Sequence, residues 1–200
     1  MFEYGTTLAA SVNSDTQHIA LGLRQRNVAF LQELVGRYQY RLVRYLIYLL
    51  GRRDEVDDLV QETWLRVLER GSSYDGRSRF EPWLFTIARN LAIDHIRKGR
   101  IFSLDSNAEG EQDTALQTPA SNAPSPFTLA ARTEDAERLA ASLQTLEPIY
   151  REALVLRFQE ELSLQEISGV VGAPVATVSS RIYRGLRTLR SQLEGGKHEI

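Results

Sequence analysis

The stretch SLQEISGVVGAPVATVSSRIYRGLRTLR, residues 163–190, decides the fold. It opens with Ser163-Leu164-Gln165-Glu166. In that pattern a serine caps a helix N-terminus and a glutamate three residues on reaches back to the serine N–H. The short helix then meets Gly172, a residue able to take the left-handed backbone that ends helices. Gly172-Ala173-Pro174-Val175 turns the chain into a longer helix, from about Ala176 to Leu193. That helix carries Arg181, Arg184, Arg187 and Arg190, and residues 176–191 hold no acid. A short helix, a glycine turn and a long basic helix make a helix-turn-helix, whose second helix enters the major groove of duplex DNA.

At about 100° per residue, Val178, Ile182, Leu186 and Leu189 share one face of that helix, which packs on a core. Ser180, Arg184 and Arg187 lie opposite, with Thr177 and Arg181 beside them. An arginine at the groove floor contacts guanine O6 and N7 together, and one a turn later meets phosphate.

Outward from this segment, residues 135–194 continue the helical pattern, with helices near 135–144 and from Pro148 to Gln159. Before them, residues 101–134 are rich in Ser, Ala, Asn, Gln and Pro, a composition too poor in large apolar groups to repay ordering. Residues 18–100 are again densely helical. Val28, Phe30, Leu31, Leu34, Val35, Tyr38, Leu42, Leu46 and Leu49 recur at three- and four-residue steps, and Gly51 stops the run. A helix from Asp54 to Arg70 follows, with acids in its first turn and Arg66 and Arg70 in its last turns, so both ends complement the helix dipole, and with Val56, Leu59, Val60, Val67 and Leu68 as its buried stripe. The turn-rich loop GSSYDGRSRF, residues 71–80, leads to a helix from about Pro82 to Lys98. The expected fold is all-α: two small helical domains, 18–100 and 135–194, joined by a flexible linker over 101–134.

Charge is segregated along the chain although 24 Lys+Arg nearly balance 26 Asp+Glu. Residues 77–100 carry Arg77, Arg79, Arg89, Arg97, Lys98 and Arg100 against Glu81 and Asp94, while the charged residues of 101–136 are Asp105, Glu109, Glu111, Asp113, Glu134 and Asp135 against Arg132 alone. Two basic blocks flanking an acidic stretch suggest two contacts with a polyanion. On the 82–98 helix, Leu84, Ile87, Ala88 and Leu91 form a core stripe, and Trp83, Asn90, Asp94 and Arg97 form a second face. Aromatics interleaved with Arg and Asn suit unpaired bases, which stack on rings. Core packing is the other use open to Trp83 and Phe80. Asp54, Asp57, Asp58, Gln61 and Glu62 give the opposite polarity, a patch that repels DNA and fits a basic protein surface. The same acids also serve as ordinary dipole partners of a helix start.

The absence of Cys removes disulfides, Cys-ligated zinc, iron–sulfur clusters and thiol nucleophiles. No cofactor or metal is expected. The N-terminus carries no signal-peptide pattern, and the longest apolar run, Leu46 to Leu50, is far below the roughly 20 residues of a membrane span. A soluble, cytoplasmic protein is expected.

Three motifs together resemble one family. Asp57-Asp58-Leu59-Val60-Gln61-Glu62-Thr63-Trp64 resembles the core-polymerase-binding motif of bacterial extracytoplasmic-function (ECF, group IV) RNA polymerase sigma factors. Phe80-x-x-Trp83-Leu84-Phe85-x-Ile87-Ala88-Arg89-Asn90-x-x-x-Asp94-x-x-Arg97 resembles their promoter-melting and −10-reading helix. Thr177-Val178-x-Ser180-Arg181-x-x-Arg184 resembles their −35-reading helix. The resemblance covers about residues 18–194. It implies a dissociable, non-catalytic subunit that directs core polymerase to promoters. By that resemblance, Asp57, Asp58, Leu59, Gln61 and Glu62 dock on the β′ clamp coiled coil. Arg79, Phe80, Trp83, Arg89, Asn90, Asp94, Arg97 and Lys98 engage −10 promoter DNA. Thr177, Ser179, Ser180, Arg181, Arg184 and Arg187 engage the −35 duplex, the same domain also meeting the β flap, and an anti-sigma factor is an expected partner. Three positions depart from the family's habits: Ser179 and Leu186 stand where a basic residue is frequent, and Gly185 interrupts the helix at a cost of about 1 kcal/mol relative to Ala.

Two other readings use the same residues. A stand-alone helix-turn-helix regulator accounts for 163–190 and leaves the Trp83–Arg97 face without a task. A helical enzyme built on Asp94 and His95 lacks a third group at a recognisable spacing.

Overall fold

The computed structural model describes residues 4–106 and 134–195, and every regular element among them is helical. In chain order these are α1 (Tyr4–Arg24), α2 (Val28–Leu50), α3 (Val56–Arg70), a 3₁₀ turn (Gly71–Ser73), α4 (Phe80–Ser106), α5 (Glu134–Thr145), α6 (Pro148–Leu154) with a π-helical turn (Val155–Gln159), α7 (Leu164–Val171) and α8 (Val175–Gly195). The expected linker differs at its edges, because α4 runs on to Ser106 and α5 begins at Glu134; residues 107–133 lie outside the described residues. Helix also extends ahead of residue 18, α4 starts at Phe80 rather than Pro82, and α3 starts after Asp54 and Glu55.

Local chemistry sets the helix ends. Asn27 accepts the Phe30 N–H at 3.2 Å and starts α2. Gly51, left-handed at φ 73°, donates its N–H to the Ile47 carbonyl and stops it. In α7 both halves of the capping box form: Glu166 N–H donates to Ser163 Oγ at 3.2 Å, and Ser163 N–H donates to Glu166 Oε2 at 2.7 Å. Gly172 ends α7 at φ 64°, a conformation that costs a side-chain-bearing residue far more.

The first half packs one core of Ile19, Leu23, Phe30, Leu34, Tyr38, Val67, Tyr74, Phe80 and Leu84 between α1, α2, α3 and α4. In the second half Leu143, Leu146, Leu154 and Leu189 form a small cluster. Gly185 explains itself there: a Cβ on it would lie 3.0 Å from Leu154 Cδ1 and 3.3 Å from Tyr150 Cβ. The propensity lost at Gly185 allows α8 to cross α6 in close contact. Leu186 is a correction to the one-face reading, since it is 44% exposed while Val178 and Leu189 are buried. Eight residues beyond Val178 it has drifted about 80° around the helix, out of the core sector.

The halves do not keep separate cores. Leu42, Tyr45, Leu46, Leu49, Phe85, Ala88 and Ala92 of the first half and Val155, Leu156, Leu162, Ile167, Val170, Val171 and Val178 of the second belong to one continuous buried cluster. Helix α6 lies on α2, and α7 lies on α4.

Candidate functional site

Three surfaces carry the candidate residues. On α8, Ser179, Ser180, Arg184 and Arg187 are exposed, and Thr177 and Arg181 are half-buried beside them. An open groove of about 500 Å³ runs along the α6–α8 edge, lined by Ile149, Tyr150, Thr177, Ser180, Arg181 and Arg184. Among the described residues, Arg181, Arg184 and Arg187 make no ion pair. The reason lies in the sequence, because no acid stands within a helical turn of them. Three unpaired guanidinium groups beside an open groove suit phosphate and base edges. Tyr183, 70% exposed on the same outward side, was missing from the sequence reading. Its position about 140° from the buried direction of Val178 was the available signal.

On α4, Trp83, Asn90, Asp94 and Arg97 fall on one stripe, spaced seven, four and three residues. Trp83 is half-buried, and Asn90, Asp94, Arg97 and Lys98 are exposed. Arg97 approaches Asp94 at 3.9 Å, an exposed pair that holds little. Phe80 is a correction: it is 1% exposed and packs against Tyr38 (5.1 Å between ring centres), Tyr74 (5.4 Å) and Trp83 (5.6 Å). It supports the Trp83 ring from beneath and cannot itself reach a base. The loop before it is pinned by Tyr74, whose hydroxyl donates to the Ser78 carbonyl at 2.6 Å. It is also pinned by Gly76 at φ 72°, where a Cβ would sit 3.0 Å from both Ala20 Cβ and the Thr16 carbonyl oxygen.

Arg79 and Arg89 face the second half. Arg89 Nε donates to Glu152 Oε1 at 2.8 Å, and Tyr45 Oη donates to the same oxygen at 2.9 Å. Arg79 Nη1 donates to the Glu161 carbonyl at 3.2 Å, and the guanidinium lies 3.4 Å from Glu81 Oε1. Burial alone would push the Glu81 carboxyl up. A backbone hydrogen bond and the Arg79 and Arg41 guanidinium groups more than offset that, so its pKa falls below the usual carboxylate range. Next to it, burial followed by the Glu81 charge raises the Tyr38 hydroxyl to about 12.

On α3, Asp57, Asp58 and Gln61 are exposed, and Glu62 is half-buried 3.0 Å from Arg66. Leu59 is 7% exposed, as its place in the apolar stripe requires, and so corrects its place among the docking residues; Leu68, expected in the same stripe, is a correction in the other direction. The apolar part of this surface is instead Leu65 (53% exposed) and Leu68 (39%). At helical spacing they continue the Asp58–Gln61 stripe, making a face acidic at one end and apolar at the other.

No helix among the described residues is long and apolar enough to cross a membrane.

Comparison with known proteins adds the following. Residues 34–101 match the family model for Sigma-70 region 2, and residues 136–189 match that for Sigma-70 region 4. The chain is 31% identical over 163 residues to the ECF RNA polymerase sigma factor SigW of Bacillus subtilis, covering 80% of this chain and 87% of that protein. It is 36% identical over 162 residues to the RNA polymerase sigma factor CarQ of Myxococcus xanthus, covering 81% and 88%. Among solved structures, the sigma factor RpoE in complex with the anti-sigma factor NepR from Bartonella quintana shares its fold at a TM-score of 0.66 and 24% identity, over 84% of this chain and 98% of that one. CnrH in complex with the cytosolic domain of CnrY does so at 0.62 and 23% identity, over 90% and 97%.

Proposed function

Because this chain belongs to the ECF RNA polymerase sigma factors, we propose a division of its promoter-directing work among the three surfaces. The observation that carries the reading is the opposite polarity of surfaces on one chain. Helix α3 presents Asp57, Asp58 and Gln61, and α8 presents Arg184 and Arg187. The first repels a phosphate backbone, and the second attracts it.

The acidic and apolar face of α3, extended to Leu65 and Leu68, docks on the β′ clamp of core polymerase. The Trp83–Arg97 stripe of α4 captures an unpaired base of the −10 element. Flipping a base costs a few kcal/mol of unstacking, and ring stacking on Trp83 with hydrogen bonds from Asn90 offsets it. The α8 face, with Ser180, Arg184 and Arg187 foremost, reads the −35 duplex. Residues 18–100 then act as the region 2 domain, 135–194 as the region 4 domain and 101–134 as their connection. The subunit contributes binding and strand separation, and the chemistry of RNA synthesis stays with the core enzyme. It works in the cytoplasm as a group IV sigma factor, held by an anti-sigma factor until needed.

Size-exclusion chromatography with sigma-free core polymerase tests the reading. A one-to-one complex that gains promoter-dependent transcription supports it. Clean separation of a well-folded chain from core overturns it in favour of a stand-alone DNA-binding regulator.

A further inference from the structure

Helices α2 and α7 stop on left-handed glycines, Gly51 and Gly172. Helix α1 stops the same way on an arginine, Arg26, at φ 51°. The Arg26 N–H donates to the Leu23 carbonyl at 3.2 Å, and the Asn27 N–H donates to the Gly22 carbonyl at 3.4 Å. These are the paired bonds of a Schellman stop, whose left-handed position favours a residue without a Cβ. Arginine there strains the backbone, and glycine would relieve it.

Arg26 does not stand alone. The last turn of α1 lies against the end of α3, so that a Cβ on Gly71 would stand 3.0 Å from Leu23 Cβ and 3.4 Å from the Leu23 carbonyl oxygen. Arg24 follows Leu23 in the chain, and Arg70 precedes Gly71. This close approach brings Arg24, Arg26 and Arg70 to one end of the helical bundle. All three are exposed and make no ion pair among the described residues. The acid beside Arg70, Glu69, lies 3.1 Å from Arg66 instead.

Cations near helix ends ordinarily serve the helix dipole and its free carbonyls. Here those carbonyls already have partners. Leu21, Gly22 and Leu23 accept from the Gln25, Asn27 and Arg26 N–H groups, and the Arg70 carbonyl accepts from Ser73 Oγ at 2.7 Å. The three guanidinium groups therefore keep their donors for a ligand outside the chain.

Their position says which ligand. The Tyr74 N–H donates to the Gly71 carbonyl at 3.2 Å, and the Tyr74 ring stands 5.4 Å from the Trp83 ring. One hydrogen bond and one ring contact thus connect the end of α3 to the stacking ring of the −10 surface. Arg97 lies about 20 Å away from Trp83 in the other direction, at the helical rise along α4. We propose that Arg24, Arg26 and Arg70 hold phosphates of the single strand whose base stacks on Trp83, continuing its path across the joined ends of α1 and α3. The inference rests on the −10 reading of α4 and adds a second backbone contact on the opposite side of the ring from Arg97. Long side chains on two helix ends follow a pliant single strand, whereas no helix there offers its side to a duplex groove. The guanidinium fork matches phosphate oxygens, which gives the strained stop at Arg26 a use that glycine could not supply.

Two experiments test this on the full chain, which has no Cys of its own. Gln25→Cys, exposed between Arg24 and Arg26, takes a benzophenone photo-crosslinker before core polymerase is added. In open promoter complexes the crosslink is expected on one strand, within the stretch where permanganate finds unpaired thymines. Crosslinks confined to duplex or to polymerase overturn the proposal, as does an open complex with no DNA crosslink.

The second experiment needs neither polymerase nor promoter, because the three arginines are exposed in the free chain. A fluorescein-labelled oligothymidylate is titrated by anisotropy at several salt concentrations. Arg24→Gln/Arg26→Gln/Arg70→Gln should weaken binding about tenfold and reduce the slope of log affinity against log salt by about two, at about 0.7 per phosphate contact. Duplex binding through α8 should be unchanged. An unchanged slope overturns the proposal, as does equal loss on duplex. Arg26→Gly separates binding from folding: it should raise the melting temperature by a few degrees while lowering the slope by a little under one. A stabilised Arg26→Gly chain with unaltered strand binding overturns the phosphate role of Arg26. Failure to join core removes the reading of the chain as a polymerase subunit and leaves the salt slopes standing. A normal open complex without the crosslink removes this contact alone.

Discussion

The arginines of α8 and those that face the second half are kept in different states. On α8, Arg184 and Arg187 stand exposed and make no ion pair among the described residues. In the first half, Arg41, Arg79 and Arg89 are each committed to a carboxylate or carbonyl. A face that reads duplex DNA gains from unpaired cations, because long-range attraction steers encounter before any contact forms. Arginines already paired with an acid attract a phosphate backbone far less, because the neighbouring carboxylate cancels most of their field. The same residue type is thus left open to an outside polyanion on α8 and neutralised within the fold where the halves meet, according to the acids packed around it.

The largest expected effect separates support from contact within the −10 surface. Phe80→Ala should cost about 3–5 kcal/mol of stability, the range for emptying a buried aromatic site, read as a lower melting temperature. Trp83→Ala should spare much of that stability and impair strand opening, read by permanganate reactivity of promoter thymines. Equal losses of stability would make both residues core and would leave the α4 stripe without its stacking ring.

Reversing the acidic face comes next. Asp58→Lys with Glu62→Lys should weaken binding to core polymerase by roughly a hundredfold, about 3 kcal/mol, by placing like charges across the contact. Binding to −35 duplex should be unchanged. Parallel loss of both would break the contrast between α3 and α8.

Arg184→Ala sharpens the duplex side. It should lower −35 affinity by about 1–3 kcal/mol and reduce the slope of binding against salt by about one. Unaltered affinity and slope would move Arg184 out of the interface.

The smallest effect concerns the paired arginines through their shared acid. Glu81 has its pKa lowered in the fold, so its contribution to stability is fully present above the unfolded carboxylate value and is lost as pH falls through the lowered folded one. The wild-type chain should lose no more than about 1 kcal/mol through this group as the pH is taken below the ordinary carboxylate range, as for a partly screened pair. Glu81→Gln should remove that part of the pH dependence, and identical acid profiles for both proteins would discount the pairing.

Much of this molecule is written in short-range chemistry. The capping box at Ser163 and Glu166, the stops at Gly51 and Gly172, and the acid-free run of arginines on α8 act within one or two helical turns, so residue type and spacing sufficed to place them. The three motifs in order sufficed for the family. Exposure was another matter. Phe80 and Trp83 are aromatics three residues apart on one helix, and Leu59 and Leu68 are leucines nine apart on another, both within the stripe that periodicity assigns to the core. Which of each pair faces the core depended on helices distant in sequence. Gly185 looked like a defect in α8 until Tyr150 and Leu154 were found against it.

By itself the sequence determined the all-helical class, the helix-turn-helix, the polarity of α3 and α8, and the resemblance to sigma factors, because each rests on periodicity, capping and local charge. Only the tertiary structure decided that the halves share one core, that Phe80 is buried while Leu68 is exposed, and that Glu152 and Glu160 meet Arg89, Arg41 and Arg44. Those pairs join residues 63 to 119 positions apart. Partners so distant leave no spacing to read, and their meeting depends on how a whole half of the chain docks on the other.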